Sequence, residues 1–365
     1  ATAPKMDWMV DVIINSFRNE RPPYGSGCCI VVLEITGVLL HDVTLLFIHI
    51  LERFMKHGFA YLSQNRFLSI PSTVDASTRR FGIAGIPYDG AVTNRPGARF
   101  APSAIRTASQ MLCDGIHPFF NVSPFDHVRD WGDIATPNTD LAAMRAELAK
   151  HVPDLLGQHH MVWLGGDHSV TLGLLRAYRA HFGVPLAVLH FDAHCDTWTD
   201  HFGEPSGHGT WVYEAIQEGL VDVSSFVQVG IRSAGDQAAR EYVAQQGGTI
   251  FTARDLRGLV SETQLADVID TLRARLSAKG LPVYLSFDID CLDPAFAPGT
   301  GTPEVAGLST NQVFTLLEAT ADLNWVGMDC VEVAPPYDHA ELTSNAAAQI
   351  VWTYLSGQVE KYLRK

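Results

Sequence analysis

The sequence predicts an α/β fold in which helices cover both faces of a parallel sheet. Six apolar runs recur along the chain: FGIAGI (81–86), MVWL (161–164), LAVLHF (186–191), FVQVGI (226–231), VYLSF (283–287) and WVGM (325–328). Their hydrophobicity is continuous and not alternating, which is typical of strands buried on both faces. Stretches of helical character, such as TLGLLRAYRAHFG and LADVIDTLRARLSAKG, separate these runs, and no internal repeat or low-complexity linker follows residue 63.

The composition indicates a globular protein and argues against nucleic-acid binding. The chain has 365 residues, of which 47% are hydrophobic and 18% charged, enough to bury a large core. A formal net charge of −14 argues against a nucleic-acid partner, because phosphate binding needs a basic face. The six cysteines form no CxxC pair. We therefore expect reduced thiols and a cytoplasmic location.

An apolar stretch near the N-terminus, CCIVVLEITGVLLHDVTLLFIHIL (28–51), raises the alternative of a membrane span. It is long enough to cross a bilayer. However, Glu34 and Asp42 interrupt it, and each acid near the bilayer centre costs about 2.5 to 3.5 kcal/mol. The stretch also starts too late for a signal peptide and lacks a basic leader. We expect an amphipathic or interface-packing segment and no membrane partner.

Polar motifs follow three of the apolar runs directly: GGDHS after MVWL, DAHCD after LAVLHF, and DIDCLDP after VYLSF. Ligands of such sheets bind at the carboxyl ends of the strands. In an extended chain, residues i, i+2 and i+4 point to the same side. The motifs are therefore expected to bring together the imidazoles and carboxylates of His168, Asp192, His194, Asp196, Asp288 and Asp290.

Metal ions are the expected reason for this cluster. Four acids within several ångströms repel one another, and two divalent cations about 3.5 to 4 Å apart remove that repulsion. Oxygen ligands with two imidazoles and no sulfur favour Mn²⁺ over zinc. Cys195 alternates to the opposite side and is expected to pack. Each motif alone can be a turn or a helix cap, so the prediction depends on their joint occurrence.

The motifs GGDHS, FDAHCDTW and SFDIDCLDPAFAPGTGTPE resemble those of the ureohydrolase superfamily, which includes arginase, agmatinase and guanidinobutyrase. The likeness, closest to bacterial agmatinases, continues through GIPYDGAVTNRPGARFAPSAIR, GHGTWVYEAIQEGL and GMDCVEVAPPYD. It implies a three-layer arginase-like fold, two Mn²⁺ per subunit and a trimeric or hexameric homo-oligomer. It also divides the chain into an N-terminal extension of unknown role, 1–62, and a catalytic domain, 63–365.

The resemblance implies that His168, Asp192, His194, Asp196, Asp288 and Asp290 are the metal ligands, and it adds two catalytic residues. Glu332 in CVEVAPPYD matches the glutamate that binds the substrate guanidinium, a planar cation that needs an oriented anionic partner. His208 in SGHGT matches a proton-shuttle histidine, which passes a proton to the departing amine. The alternative for Glu332 is a cap at a strand end, which we do not prefer. Taken alone, His208 would more often be an ordinary loop histidine.

The expected function is hydrolysis of a small cationic guanidino compound to urea and an amine, with agmatine, which gives putrescine, as first choice. Guanidinobutyrate, guanidinopropionate and guanidine stay open as substrates. The loops 114–121, 199–207 and 232–237 are expected to sense the substrate's distal charge. Two other classes remain: a non-catalytic binding or assembly relative without metal, and a zinc-dependent amide hydrolase with one metal.

Several other charged residues are expected to have structural roles and no role in the site. Arg95, Arg99 and Arg106 suggest anion binding, but helix capping and subunit contacts are the preferred interpretation. His159 and His160 directly precede a predicted strand and are expected at the surface. None of these five is therefore assigned to the site.

Overall fold

The computed structural model describes residues 65–71 and 79–364. The expected N-terminal extension, 1–62, and its apolar stretch lie outside these residues. Among the helices formed by the described residues, none is long and apolar enough to cross a membrane.

A parallel sheet of eight strands forms the centre of the described chain. The strands are β1 Phe81–Gly85, β2 Val128–Asp133, β3 His160–Leu164, β4 Leu186–Phe191, β5 Val221–Ile231, β6 Thr249–Thr252, β7 Val283–Asp288 and β8 Trp325–Val331. They lie in the order β2-β1-β3-β8-β7-β4-β5-β6, and each neighbouring pair is parallel. The predicted α/β class is confirmed.

Helices connect the strands and carry recognisable end signals. They are α1 Ala101–Ser109, α2 Leu141–Leu156, α3 Val170–Phe182, α4 Trp211–Gln217, α5 Gln237–Gln245, α6 Glu262–Ser277, α7 Thr310–Ala319 and α8 Leu342–Leu363. Ser261 and Gln264 form a capping box at the start of α6. Gly183 ends α3 in the left-handed region, with φ of 71°. The two helical stretches predicted from sequence correspond to α3 and α6.

The core lies on both faces of the sheet. Every residue of β4 is buried, and its side chains alternate between two apolar clusters. Leu189 and Phe191 pack in the cluster that contains residues of α1, α6, α7 and α8, whereas Leu186 and Val188 pack with residues of α2, α3 and α4. The continuous hydrophobicity of the strands therefore arises from a three-layer architecture.

The two edge strands, β2 and β6, are the ones that the apolar runs did not predict. Along β2, with sequence VRDWGD, buried and half-buried residues alternate. All four residues of β6 are half-buried. An edge strand has a neighbour on only one side and is less covered, so a continuous apolar run is not required there.

The four strands β3, β8, β7 and β4 are adjacent, so the segments that follow them meet at one edge. The loop after β3 also touches the loop after β1. A Cβ on Gly166 would lie 1.7 Å from the carbonyl oxygen of Tyr88, so only glycine allows this approach. The contact places the loop after β1 beside the polar motifs.

The expectation that His159 and His160 are surface residues is wrong. His159 is buried, with 5% of its surface exposed. His160 is the first residue of β3, and its Nε2 lies 2.7 Å from the hydroxyl of Tyr354. The long helix α8 covers this end of the strand, which the sequence around residue 160 does not reveal.

A buried ion-pair cluster joins α1 to β2. The Arg106 guanidinium donates to Asp130 through Nε at 2.8 Å and Nη2 at 2.9 Å, and Nη1 donates to Asp133. Burial lowers the pKa of Arg106, but the two carboxylates outweigh burial and raise it. The expected capping or subunit-contact role of Arg106 is therefore wrong, because its partners lie inside the chain.

We expect Arg106→Met to lower the free energy of unfolding by about 3 to 5 kcal/mol, because two buried carboxylates lose their counter-charge. Urea unfolding followed by circular dichroism measures the change. The control is Arg273→Met. Arg273 forms an ion pair with Asp322 at the exposed surface, so this substitution should lower the free energy of unfolding by at most about 1 kcal/mol. Equal losses in the two variants would contradict the assigned role of the cluster.

Candidate metal centre and active site

The six residues predicted as metal ligands lie together at the carboxyl edge of the sheet. His168 follows β3, three residues follow β4, Asp288 ends β7, and Asp290 lies in the 3₁₀ turn Ile289–Cys291. His194 is half-buried and the other five are buried. Their side chains form two groups that share one carboxylate.

The first group surrounds His168. Its Nδ1 lies 3.1 Å from Oδ2 of Asp192, 3.2 Å from Oδ2 of Asp196 and 3.0 Å from Oδ2 of Asp288. Burial lowers the pKa of His168, but these three carboxylates raise it well above its usual value. A positive charge is therefore strongly favoured at this point.

The second group surrounds His194. Its Nδ1 lies 3.2 Å from Oδ1 of Asp192 and 3.1 Å from Oδ2 of Asp290. Asp192 thus offers Oδ2 to the first group and Oδ1 to the second. The contribution of one oxygen to each group makes Asp192 the link between them.

Turns, and not an extended chain, bring these side chains together. The backbone bends at Ala193 and His194, and Asp196 has a left-handed φ of 52°. Asp192 Oδ1 accepts a hydrogen bond from the His194 amide at 2.6 Å, and Asp290 Oδ1 accepts one from Ala193 at 3.1 Å. The expected convergence is present, but the alternation proposed as its cause is not.

Cys195 lies between two of these residues in sequence but turns away from the cluster. It is buried against Ile231 and Ala239. Burial raises the pKa of its thiol, which disfavours the thiolate form that binds metals. The packing role expected from the sequence agrees with this position.

The hydrogen bonds of His168 provide a test of whether a metal fits the first group. Its Nε2 lies 2.9 Å from Oγ of Ser286, and that hydroxyl donates to Oδ1 of Asp329 at 2.8 Å. The hydroxyl proton is thus used, so Nε2–H is the donor and, in the neutral ring, Nδ1 presents a lone pair. Nδ1 is buried without a hydrogen-bond partner among the described residues and faces three carboxylates. A cation at this point would bind Nδ1 and also offset the charge of the three carboxylates, so the donor set fits a metal ion.

The sequence did not predict the residues that hold the predicted ligands in place. Asp329 is fully buried and accepts hydrogen bonds from the Tyr284 and Thr171 hydroxyls, each at 2.9 Å. His190 Nε2 lies 2.8 Å from Oδ2 of Asp192. A signal was available, because Asp329 and His190 interrupt the apolar strands β8 and β4. A polar residue inside a buried strand needs partners.

Glu332 and His208 form a pair beside the first group. Glu332 is buried directly after β8 with a left-handed φ of 63°, and its Oε1 accepts from the His168 amide at 2.8 Å. His208 Nδ1 lies 2.9 Å from the same oxygen, and the Thr93 amide donates to His208 Nε2 at 3.2 Å. In the neutral ring, the proton is therefore on Nδ1 and points at Glu332. Burial lowers the pKa of His208, but Glu332 raises it to about 9.

Asp167 ties the loop after β1 to this pair. Its Oδ2 accepts from the Ala91 amide at 2.9 Å, and its Oδ1 accepts from the Ser169 amide at 3.1 Å. Burial and the nearby Glu332 carboxylate raise the pKa of Asp167 to about 7. These bonds position the segment that carries Thr93, the partner of His208.

Two of the three loops expected to sense the substrate reach the site. In the loop 199–207, the His201 ring lies 5.7 Å from that of His208. In the loop 232–237, the Ser233 hydroxyl donates to Oε1 of Glu304 at 3.0 Å. That oxygen lies 4.0 Å from Nε2 of His194. The segment 114–121 packs against helix α8 instead.

Comparisons with known proteins agree with this geometry. The sequence profile of the Arginase family matches residues 79–356. The agmatinase of Chromobacterium violaceum is 42% identical over 275 residues, which cover 73% of this chain and 80% of that protein.

Solved structures show the same fold. The crystal structure of a hypothetical agmatinase from Burkholderia thailandensis aligns with a TM-score of 0.74 and 36% identity over 82% of this chain and 91% of that chain. The proclavaminate amidino hydrolase from Streptomyces clavuligerus aligns with a TM-score of 0.74 and 36% identity over 82% of this chain and 99% of that chain. With its profile match, its identity to relatives and its eight-stranded parallel sheet, this chain belongs to the arginase family.

Proposed function

We propose that this chain is a manganese-dependent hydrolase that cleaves agmatine to putrescine and urea. The observation that carries the proposal is a buried carboxylate, Glu332, held beside two ligand groups that share Asp192. Agmatinases of Chromobacterium violaceum and Klebsiella pneumoniae, 42% and 41% identical, support the choice of substrate. A scaffold protein has no physical need for such a cluster of acids.

The proposed ligands of two Mn²⁺ ions are His168, Asp192, His194, Asp196, Asp288 and Asp290. Their atoms are four carboxylates and two imidazoles, a set that favours manganese over metals that prefer thiolates. Two possible metal-binding groups, both containing Asp192, support a count of two. When bound, a metal pair would supply hydroxide from water near neutral pH.

Glu332 is proposed to bind and orient the guanidinium. Its Oε1 already accepts two hydrogen bonds, and a Cβ on Gly301 would lie 3.7 Å from its Oε2. Because Gly301 has no side chain, the position beside Oε2 that a Cβ would take stays open. A guanidinium offers only donors and the carboxylate only acceptors, so the two match.

His208 is proposed to deliver the proton that the departing amine needs. Addition of hydroxide to the guanidinium carbon is followed by cleavage of the bond to the alkylated nitrogen, which must gain a proton to leave as an amine. The Glu332 carboxylate raises the pKa of His208 to about 9. At neutral pH the ring therefore carries a second proton on Nε2, which the Thr93 hydroxyl oxygen, 3.1 Å away, can accept, and it is able to act as an acid.

The remaining parts of the proposal concern the protein as a whole. We propose a catalytic domain at 63–365, a cytoplasmic location and a homotrimer or homohexamer. Free thiols at all four cysteines of the described residues fit a reducing compartment. Exposed apolar side chains at Met111, Ile116 and Phe119 support a subunit contact.

Urea release from a panel of guanidino compounds tests the proposal. The full chain is assayed after loading with manganese and after chelation, with agmatine, 4-guanidinobutyrate, 3-guanidinopropionate and guanidine. We expect activity on agmatine, its loss on chelation, and two metals per chain. One zinc per chain with amide hydrolysis would indicate a different enzyme, and neither metal nor activity would indicate a binding protein.

The shared carboxylate gives a prediction for metal content. Asp192→Ala removes one oxygen from each group, so we expect well below one metal per chain, whereas His194→Ala should retain about one. Elemental analysis beside circular dichroism measures metal and fold together. Asp126→Ala, at a carboxylate that is 82% exposed, is the control and should retain both metals. Full metal content in Asp192→Ala would remove Asp192 from the ligand set.

The role of Glu332 predicts a loss of turnover without loss of metal. Glu332→Gln keeps the shape but loses a charge-assisted hydrogen bond of about 1.5 to 3 kcal/mol, and its amide places donors against guanidinium donors. We expect kcat/KM for agmatine to fall at least about a hundredfold, or roughly 2.7 kcal/mol. Glu241→Gln, on the exposed face of α5, is the control. Loss of metal in Glu332→Gln would instead make this residue a ligand or a support of one.

The His208–Glu332 pair predicts a titration that NMR of the metal-free protein can follow. The pKa of His208 is about 9 with Glu332 present. In Glu332→Gln it should fall toward or below the ordinary value of about 6.5, because the charge that opposes burial is lost. His117, whose pKa burial lowers to about 4, should not respond. An unchanged His208 would show that Glu332 is not the source of the shift.

A further inference from the structure

A short loop, 299–305, crosses the site from the proposed guanidinium end to the second ligand group. At one end, Gly301 lies beside Oε2 of Glu332. Further along, the Thr302 hydroxyl donates to Oδ2 of Asp290 at 3.3 Å. The carboxylate of Glu304 comes next, and its Oε1 lies 4.0 Å from Nε2 of His194.

The Glu304 side chain is held in place and still accessible. Its Oε1 accepts a hydrogen bond from the Ser233 hydroxyl at 3.0 Å. Its backbone carbonyl accepts from Nη2 of Arg232 at 2.6 Å. With 35% of the side chain exposed, the carboxylate is open to solvent on one side. It is therefore a fixed anionic group that a substrate can reach.

The two arginines near this loop contact groups other than the Glu304 carboxylate. The Arg232 guanidinium donates only to backbone carbonyls, those of Gly230, Asp290, Cys291, Leu292, Glu304 and Val305. The Arg95 guanidinium lies over the Tyr337 ring, 5.2 Å from its centre. Within residues 65–71 and 79–364, the Glu304 side chain has no lysine or arginine partner.

The loop from Gly301 to Glu304 is comparable in length with a short guanidino amine. Its three-residue step spans at most roughly 10 Å, and the guanidinium carbon and terminal nitrogen of extended agmatine are roughly 7 Å apart. This upper limit is compatible with a guanidinium at Glu332 and a distal ammonium at Glu304. A guanidino acid would instead bring its carboxylate against a like charge.

We propose that Glu304 binds the distal ammonium of the substrate and so selects guanidino amines over guanidino acids. This inference rests on the proposed function and names the residue that sets its substrate class. Glu304 is a specificity-determining residue here, in contrast to Glu332, which faces the group that reacts.

The test compares three substrates of matched length with the manganese-loaded full chain: agmatine, butylguanidine, which lacks the distal charge, and 4-guanidinobutyrate. In Glu304→Gln we expect kcat/KM for agmatine to fall roughly ten- to a hundredfold, mainly through KM. The value for butylguanidine should change less than about twofold, and that for 4-guanidinobutyrate should rise. Glu241→Gln is the control, and metal content and circular dichroism are measured for each variant.

Other outcomes overturn the inference in distinguishable ways. A common loss on all three substrates would make Glu304 a positioning residue for His194. Preference of the unaltered chain for 4-guanidinobutyrate would indicate that Arg95 binds the distal carboxylate of the substrate. The hydrolysis of guanidino compounds would then stand, and only the role of Glu304 would be overturned. Absence of urea from every guanidino compound would overturn the proposed function and this inference together.

Discussion

Mutual repulsion of buried carboxylates is the constraint on which the rest of this structure depends. Asp192, Asp196, Asp288 and Asp290 meet at one edge of the sheet. Turns follow β4 and β7, and hydrogen bonds close them. These turns hold the carboxylates close enough to repel one another. Deeper in the sheet, Asp329 fixes the orientation of His168 through Ser286. The fold therefore supplies a position for positive charge before any cation arrives.

The central strands and the site were accessible from the sequence because they obey local rules. Continuous apolar runs marked six strands, all flanked on both sides in the sheet. The polar motifs after β3, β4 and β7 marked the residues proposed as metal ligands, whose convergence follows from parallel topology. Edge strands β2 and β6 were missed because half-buried positions tolerate polar side chains.

Long-range pairing was the part that the sequence did not reveal. Arg106 finds both of its carboxylates on β2, in a segment more than twenty residues away. The amide and hydroxyl of Thr93 contact Nε2 of His208 across more than a hundred residues. Such partners depend on three-dimensional packing, for which periodicity carries no signal. Sequence patterns located the chemistry, and the structure was needed to orient it.

The hydrogen bonds from Arg232 to backbone carbonyls separate the path of the loop from the identity of its side chains. Main-chain oxygens are present whatever the residue type, so the path of the loop 299–305 does not depend on the side chain at position 304. A substitution at position 304 therefore leaves the carbonyl that Arg232 binds in place. Under the proposed role of Glu304, the charge offered to the substrate comes from its side chain, whereas the path of the loop is held through its backbone.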